Sequence, residues 1–189
     1  NFLFDVQTSF SLSCCTVTIP DANFKTYLLG NTAINTNGDT EIQCSEASAF
    51  SGIMTCTNQS ISDLTGIEAF TNMIRLYCSL NTITTMDVSS NTELTHLSCD
   101  NNTLTSLDVS NNTNLISLIC YNNNLADLNA ANSNNSNMSI DEYKGIYNIT
   151  HSSEKTGHVK IKIDNYHVLL GPLTSFEGLF YPAIRFHPM

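Results

Sequence analysis

The sequence predicts a solenoid of mixed α/β class but mostly β: a right-handed coil of short parallel strands with a small helical N-terminal cap and a candidate C-terminal β-hairpin. Three observations carry that reading. The chain superimposes on itself at a shift of 21 residues over three successive units, the mark of stacked structural repeats. Hydrophobic residues make up 41% of the 189 and charged residues 13%, a balance that permits a packed interior and opposes a charge-extended chain. No stretch approaches the ~18 consecutive apolar residues that a spanning helix needs, so no membrane insertion is expected within this sequence.

The repeat columns justify the strands. Leu76, Leu97 and Leu118 superimpose, as do Cys78, Cys99 and Cys120, then Asn81, Asn102 and Asn123. Ile83, Leu104 and Leu125 follow in step, then Met86, Leu107 and Leu128, with Met73, Leu94 and Leu115 opening each unit. The unit reads L-x-x-L-x-L-x-x-N-x-L, which is the leucine-rich-repeat pattern. Leu76-x-Cys78 makes a short strand with two inward chains, and units stacked about 4.8 Å apart continue one narrow core. The Asn in the ninth slot is read as structural, its amide satisfying backbone groups of the corner after the strand. An earlier unit fits at a shift of 22 through Met54, Cys56, Ile61, Leu64 and Ile67, with Gln59 in the Asn slot. The back of each unit, such as Met86 to Asn91, is expected to be extended or a single helical turn.

Repeats reading LTHLSCDNNTLTSLDVSNNTNL, after the segment IPDANFKTYLLGNTAINTNGDTEIQCSEASAF, resemble those of secreted leucine-rich-repeat proteins of Bacteroidetes, with internalin-like short repeats. The resemblance covers roughly residues 17–137. It implies an exported, secreted or cell-surface protein with a protein- or glycan-binding role and no catalytic residues. The array is short, and in the next register Ser136, Ser139, Asp141 and Lys144 break the expected columns, so four segments are read: 1–16 a leader remnant or disordered, 17–52 the helical cap, 53–137 the repeats, and 138–189 a divergent tail.

The cap follows from the need to cover the first edge of a solenoid. Pro20-Asp21 opens a helix in which Phe24, Tyr27 and Leu28 share a face, and Gly30 sits where it would stop. A second helix starts at Ser45-Glu46-Ala47. The twelve residues from Asn35 to Glu46 between them place oxygen-bearing side chains at loop positions 1, 3 and 5 (Asn35, Asn37, Asp39), with the Glu41 carbonyl at 7, Ile42 at 8 and Glu46 at 12. Those are the ligand positions of an EF-hand loop, so calcium is a candidate ion there although no cofactor is required. Against it, Asn35 replaces the usual first Asp, and Thr40 stands at position 6, where a sharp turn favours Gly. The alternative is an Asn/Gly/Asp-rich turn that only joins two helices.

Seven cysteines are present. Cys78, Cys99 and Cys120 fall in a ladder about 5 Å apart, close enough for two to oxidise, yet buried thiols serving as small apolar residues are the favoured reading. Cys14 and Cys15 are adjacent and cannot easily bridge each other; they could pair elsewhere or mark a lipid-attachment site. The residues before them contain Asp5 and Gln7 and read as a poor or truncated signal sequence. No C-x-x-C spacing supports zinc.

Function is read as binding. Nucleophile elbows, H-E-x-x-H, phosphate-cradling loops and paired catalytic carboxylates are all missing from the sequence, so no enzyme and no catalytic residue is expected. The net charge of −10 opposes nucleic-acid partners and anionic lipid surfaces. It belongs to residues 1–137, which hold twelve acids and two bases, Lys25 and Arg75. The third, fifth and seventh residues of each unit should point to the concave strand face. These are Arg75, Tyr77 and Ser79, then His96, Ser98 and Asp100, then Ser117, Ile119 and Tyr121. Tyr, Arg and an exposed Ile suit docking, so Arg75, Tyr77, His96, Ser98, Asp100, Ile119 and Tyr121 are the candidate contacts with a protein or glycan. Two alternatives stay open. One is a structural or cell-surface protein with no specific ligand. The other is an ice or polysaccharide binder acting through stacked Thr82, Thr84, Thr103 and Thr105. In the tail, Val159, Ile161 and Ile163 alternate with polar residues and Asp164-Asn165 separates them from Tyr166 to Leu170, which reads as the hairpin.

Overall fold

The computed structural model describes residues 15–130 and, beyond them, the strands 139–141, 148–150, 159–163, 166–170 and 186–187. Helix α1 spans Ala22–Leu29 and ends at Gly30, and α2 spans Cys44–Ala49. Asp21 shows why the first begins where it does: Oδ1 accepts the amides of Asn23 and Phe24, both at 2.9 Å, as an N-cap. Its other oxygen accepts from the amide and hydroxyl of Ser62, each at 2.8 Å. One carboxylate thereby starts the helix and fastens it to the first repeat. Phe24 and Leu28 are fully buried beneath it.

The chain before α1 is held by two devices. Thr16 and Gln43 form an antiparallel bridge, flanked by Val17 N donating to Ile42 O at 2.8 Å, and Cys15 is disulfide-bonded to Cys44. Closing a loop of that length removes unfolded-state entropy worth roughly 3–4 kcal/mol on the chain-entropy account. Gly66 completes the docking. Its φ is +104°, and a Cβ there would lie 2.9 Å from Thr18 O, so only glycine lets the incoming segment cross the first repeat so closely.

The repeats supply two sheets. Strands β1 (Ile53–Thr55), β2 (Arg75–Tyr77), β3 (His96–Ser98) and β5 (Ser117–Ile119) run parallel, while β4 (Ser106–Asp108) and β6 (Asp127–Asn129) pair on the opposite side. The register aligns Met54, Leu76, Leu97 and Leu118, each 1% exposed or less, so the leucine column of the sequence is the core of the solenoid. Cys56, Cys78, Cys99 and Cys120 form the parallel column beside it; all are buried and none is in a disulfide. Tyr27 covers the first edge, its hydroxyl accepting the amide of Thr55 at 2.9 Å.

The ladder does not stop at the composition change near Met138. Strand β7 (Ser139–Asp141) pairs parallel with β5, setting Ile140 opposite Leu118, and β8 (Asn148–Thr150) pairs with β6. The β5–β7 register is offset by 22 residues, as β1–β2 is, so a shift of 21 sets Ser139 rather than Ile140 against Leu118. Strand β9 (Val159–Ile163) continues the parallel ladder on β7 and folds back into β10 (Tyr166–Leu170), which pairs antiparallel with it. The expected hairpin is therefore built onto the sheet, with β11 (Phe186–His187) against β10.

Asparagines finish each rung. Asn81 Oδ1 accepts the amides of Gln59 and Ile61 at 3.0 Å, and its Nδ2 donates to the carbonyls of Cys56 and Cys78 at 2.9 Å. Asn102 and Asn123 repeat the pattern one and two rungs on. A second ladder, absent from the repeat reading above, stands at the far corner: Asn91 Nδ2 bonds Ile67 O and Phe70 O, and Asn112 Nδ2 bonds Val88 O and Asn91 O.

Candidate ligand-binding face

Strands β2, β3 and β5 present the predicted rows, but only part of each row is accessible. Arg75, Tyr77, His96, Ser117, Ile119 and Tyr121 are half-buried, as suits side chains standing on a sheet face among neighbours. Ser79, Ser98 and Asp100 are buried, and this corrects the expectation that all three columns face solvent. Tyr121, at the seventh position of its unit, stays half-buried, whereas the fifth-position Ser98 and the seventh-position Ser79 and Asp100 meet in one buried cluster. There Asp100 Oδ1 accepts the hydroxyls of Ser79 and Ser98, and Oδ2 accepts Asn101 Nδ2 at 2.6 Å. The two hydroxyls lie 2.9 Å apart. Because each has one proton and the carboxylate is acceptor-only when ionised, both protons are best spent on Asp100.

His96 adjoins Arg75 across the β2–β3 register, and its Nδ1 is 2.9 Å from the Thr95 hydroxyl. Partial burial first, then the positive Arg75, push its pKa below the ordinary imidazole value. It is therefore a neutral group at pH 7, able to donate or accept a hydrogen bond. Beneath the face the thiols are unreactive. Burial pushes Cys56 up to about 12, and burial above all, with the nearby Asp100 charge adding to it, raises Cys78 and Cys99 well above their ordinary value. The face is thus a rigid platform of Tyr, Arg, His and Ile over a chemically quiet core.

The loop from Asn35 to Glu46 uses its oxygens otherwise than calcium coordination would require. Glu46 Oε1 accepts from the Thr36 amide and hydroxyl and the Asn37 amide, and Oε2 accepts the Gln43 amide, which makes Glu46 the third residue of a capping box on α2. Burial works against its ionised form, but the Gln43 and Asn37 amides and the Thr36 donors outweigh it and hold the carboxyl below its ordinary value. Asp39 accepts from the Glu41 amide and from the amides of Asn37 and Gln43, Asn35 Nδ2 donates to Leu29 O and Asp39 O, and Glu41 pairs with Lys25 at 2.8 Å. The residues as arranged do not fit a calcium ion: the positive-φ glycine, Gly38, comes two positions early and turns the donors onto one another. Among the described residues no three His, Cys, Asp or Glu converge as metal ligands, and no helix is long and apolar enough to cross a membrane.

The threonine array is also partly committed. The hydroxyls of Thr82 and Thr103 donate to carbonyls of the preceding rung, Ile61 O at 3.3 Å and Ile83 O at 3.1 Å, while Thr84 and Thr105 are exposed.

No protein-family model matches the chain. Over 37 residues it is 54% identical to Internalin J of Listeria monocytogenes serotype 4b, a stretch that is 20% of this chain and 4% of that protein. The crystal structure of the internalin InlF from the same species superimposes with a TM-score of 0.53 at 18% identity, covering 82% of this chain and 56% of InlF. A functional domain of InlJ that includes a cysteine ladder aligns with a TM-score of 0.37 at 23% identity, over 69% of this chain and 39% of that one, and adds nothing to the assignment. The chain thus spans about half of the InlF structure, and the named relatives come from Listeria rather than from Bacteroidetes. In fold, this chain is an internalin-like leucine-rich-repeat solenoid.

Proposed function

We propose that the chain is an exported, non-enzymatic binding module that recognises a protein or glycan with the concave face of β2, β3 and β5. The observation that carries this reading is the row of half-exposed Arg75, Tyr77, His96, Ile119 and Tyr121 on a hydrogen-bonded ladder. These are types that contribute disproportionately to docking, held on backbone with little freedom left to lose on binding. The internalin-like fold supports it, as does a disulfide in the cap, which forms and persists in oxidising compartments. A scaffold role without a ligand predicts that neither the tyrosines of this face nor the threonines of the side affect any binding. A flat ice or polysaccharide surface would have to be met by Thr84 and Thr105 alone, because Thr82 and Thr103 spend their protons inside the fold.

The test is a screen of the purified chain on glycan and host-surface protein arrays beside the Tyr77→Ala/Tyr121→Ala variant, with equal melting verified. Hits that vanish in the variant support the reading, and hits that persist move recognition off this face.

A further inference from the structure

Residues 1–137 hold two bases, and the fold treats them oppositely. Lys25 lies in the cap and donates to both carboxylate oxygens of Glu41 at 2.8 Å. Arg75 stands half-buried on the concave face, and its guanidinium has no ion pair or hydrogen bond among the described residues. Twelve acids share that stretch of sequence, yet none occupies an outward position of β1, β2, β3 or β5. Ile53, Arg75, His96 and Ser117 form one register row, with Tyr77 and Ile119 in the next. Asp100, farther along the rung of His96, is buried with its carboxylate bonded to Ser79, Ser98 and Asn101. Arg75 is thus a planar fork of donors with part of its hydration removed and no counter-charge from its own fold. The anion that such a fork matches best is a carboxylate, which it can hold by two parallel bonds.

His96 says what should accompany that carboxylate. The Thr95 hydroxyl donates its one proton to Ile74 O at 3.1 Å, so across the 2.9 Å contact with His96 Nδ1 it can only accept. Nδ1 therefore carries the imidazole proton, and Nε2 of the neutral ring is left as an acceptor. The register sets Arg75 and His96 one strand spacing apart, ~4.8 Å at the backbone, so a donor fork and a lone acceptor lie side by side. An Asp or Glu side chain would fill the first and offer nothing to the second. A sugar acid brings both, a carboxylate and hydroxyls beside it, and Tyr77 adds an aromatic body two residues from Arg75. The net charge of −10 selects in the same direction, because it repels polyanions but tolerates a single carboxylate among neutral hydroxyls.

Resting on the concave-face reading above, we infer that Arg75 and His96 form a subsite for a carboxylate-bearing sugar, a uronic or sialic acid residue of a glycan. Arg75 binds the carboxylate, His96 Nε2 accepts a neighbouring hydroxyl, and Tyr77 borders the sugar.

The experiment titrates the whole chain by saturation-transfer NMR with four kinds of probe: 3′-sialyllactose, a disaccharide ending in glucuronic acid, the methyl ester of each, and Gly-Glu-Gly blocked at both ends. At least one of the two acids should bind, and its ester and the peptide should bind at least tenfold more weakly. Arg75→Gln and His96→Phe, each with an unchanged melting midpoint, should each lose at least tenfold in affinity for that acid. No binding of either acid, equal binding of acid and ester, equal binding of the peptide, or an unchanged affinity in either variant would each overturn the inference. Should array hits vanish in Tyr77→Ala/Tyr121→Ala yet persist in Arg75→Gln, the concave face stands and only this subsite falls.

Discussion

Replacing Asn102 with alanine removes four hydrogen bonds from the middle of the solenoid. Its Oδ1 accepts the Ile83 amide at 3.0 Å, and its Nδ2 donates to Cys99 O at 3.0 Å, Cys78 O at 3.1 Å and Asp100 O at 3.3 Å, so one side chain joins two rungs. Asn102 is 7% exposed, and Ile83, Cys78 and Cys99 are fully buried. An orphaned buried polar group costs about 1–3 kcal/mol. Only the Ile83 amide is orphaned, because Cys78 O keeps Asn81 Nδ2 and Cys99 O keeps Asn123 Nδ2. With the lost bonds to carbonyls at about 0.5–1.5 kcal/mol each, the expected loss is about 2 kcal/mol or more. Urea unfolding followed by far-ultraviolet circular dichroism measures it, with Asn124→Ala as the exposed control expected to lie within about 0.5 kcal/mol of the parent. A loss below about 1 kcal/mol for Asn102→Ala, or one equal to the control, would refute the view that the asparagine ladder satisfies the corners.

The cap should respond to acid through Glu46. Its folded-state pKa lies below the ordinary 4.5, so the stability it lends is full above that value and is lost as pH falls through the lower folded value; melting of Glu46→Gln should be flatter across this window than that of the parent. Thiol chemistry should divide the cysteines: Cys56, Cys78, Cys99 and Cys120 should resist Ellman's reagent until the chain unfolds, while peptide mapping under non-reducing conditions should recover Cys15 joined to Cys44. Calcium should leave the melting midpoint unmoved, because the carboxylates of Glu46 and Asp39 already accept amide protons; a rise on titration, abolished by Glu46→Gln, would show that the loop rearranges to take the ion.

The parts of this fold legible in the sequence are those set by side-chain type at a fixed period. The columns of Leu76, Cys78 and Asn81 and their successors repeat at 21 residues because each rung must fill the same volume and satisfy the same corner, and the structure places them accordingly. The first helix was legible through Asp21 and Gly30, its two ends. The Asn91 and Asn112 ladder carries an equally visible signal, the same residue at the same shift, but lies outside the L-x-x-L-x-L-x-x-N-x-L pattern. The burial of Asp100 was not legible, since alternation gives the face a side chain takes and not how closely Ser79 and Ser98 cover it. Spacing likewise placed oxygens in the cap loop without fixing where they point, and the early turn at Gly38 sends Glu46 to the start of α2.

Recognition by the concave strand face is tested most directly by biolayer interferometry of an array-recovered partner against three proteins of matched stability: the parent, Tyr77→Ala/Tyr121→Ala, and Thr84→Ala/Thr105→Ala. The account predicts that the tyrosine pair abolishes binding and that the threonine pair leaves it within about twofold, a difference under roughly 0.5 kcal/mol. Loss in the threonine pair with retention in the tyrosine pair would contradict it and place the ligand on the side of the solenoid.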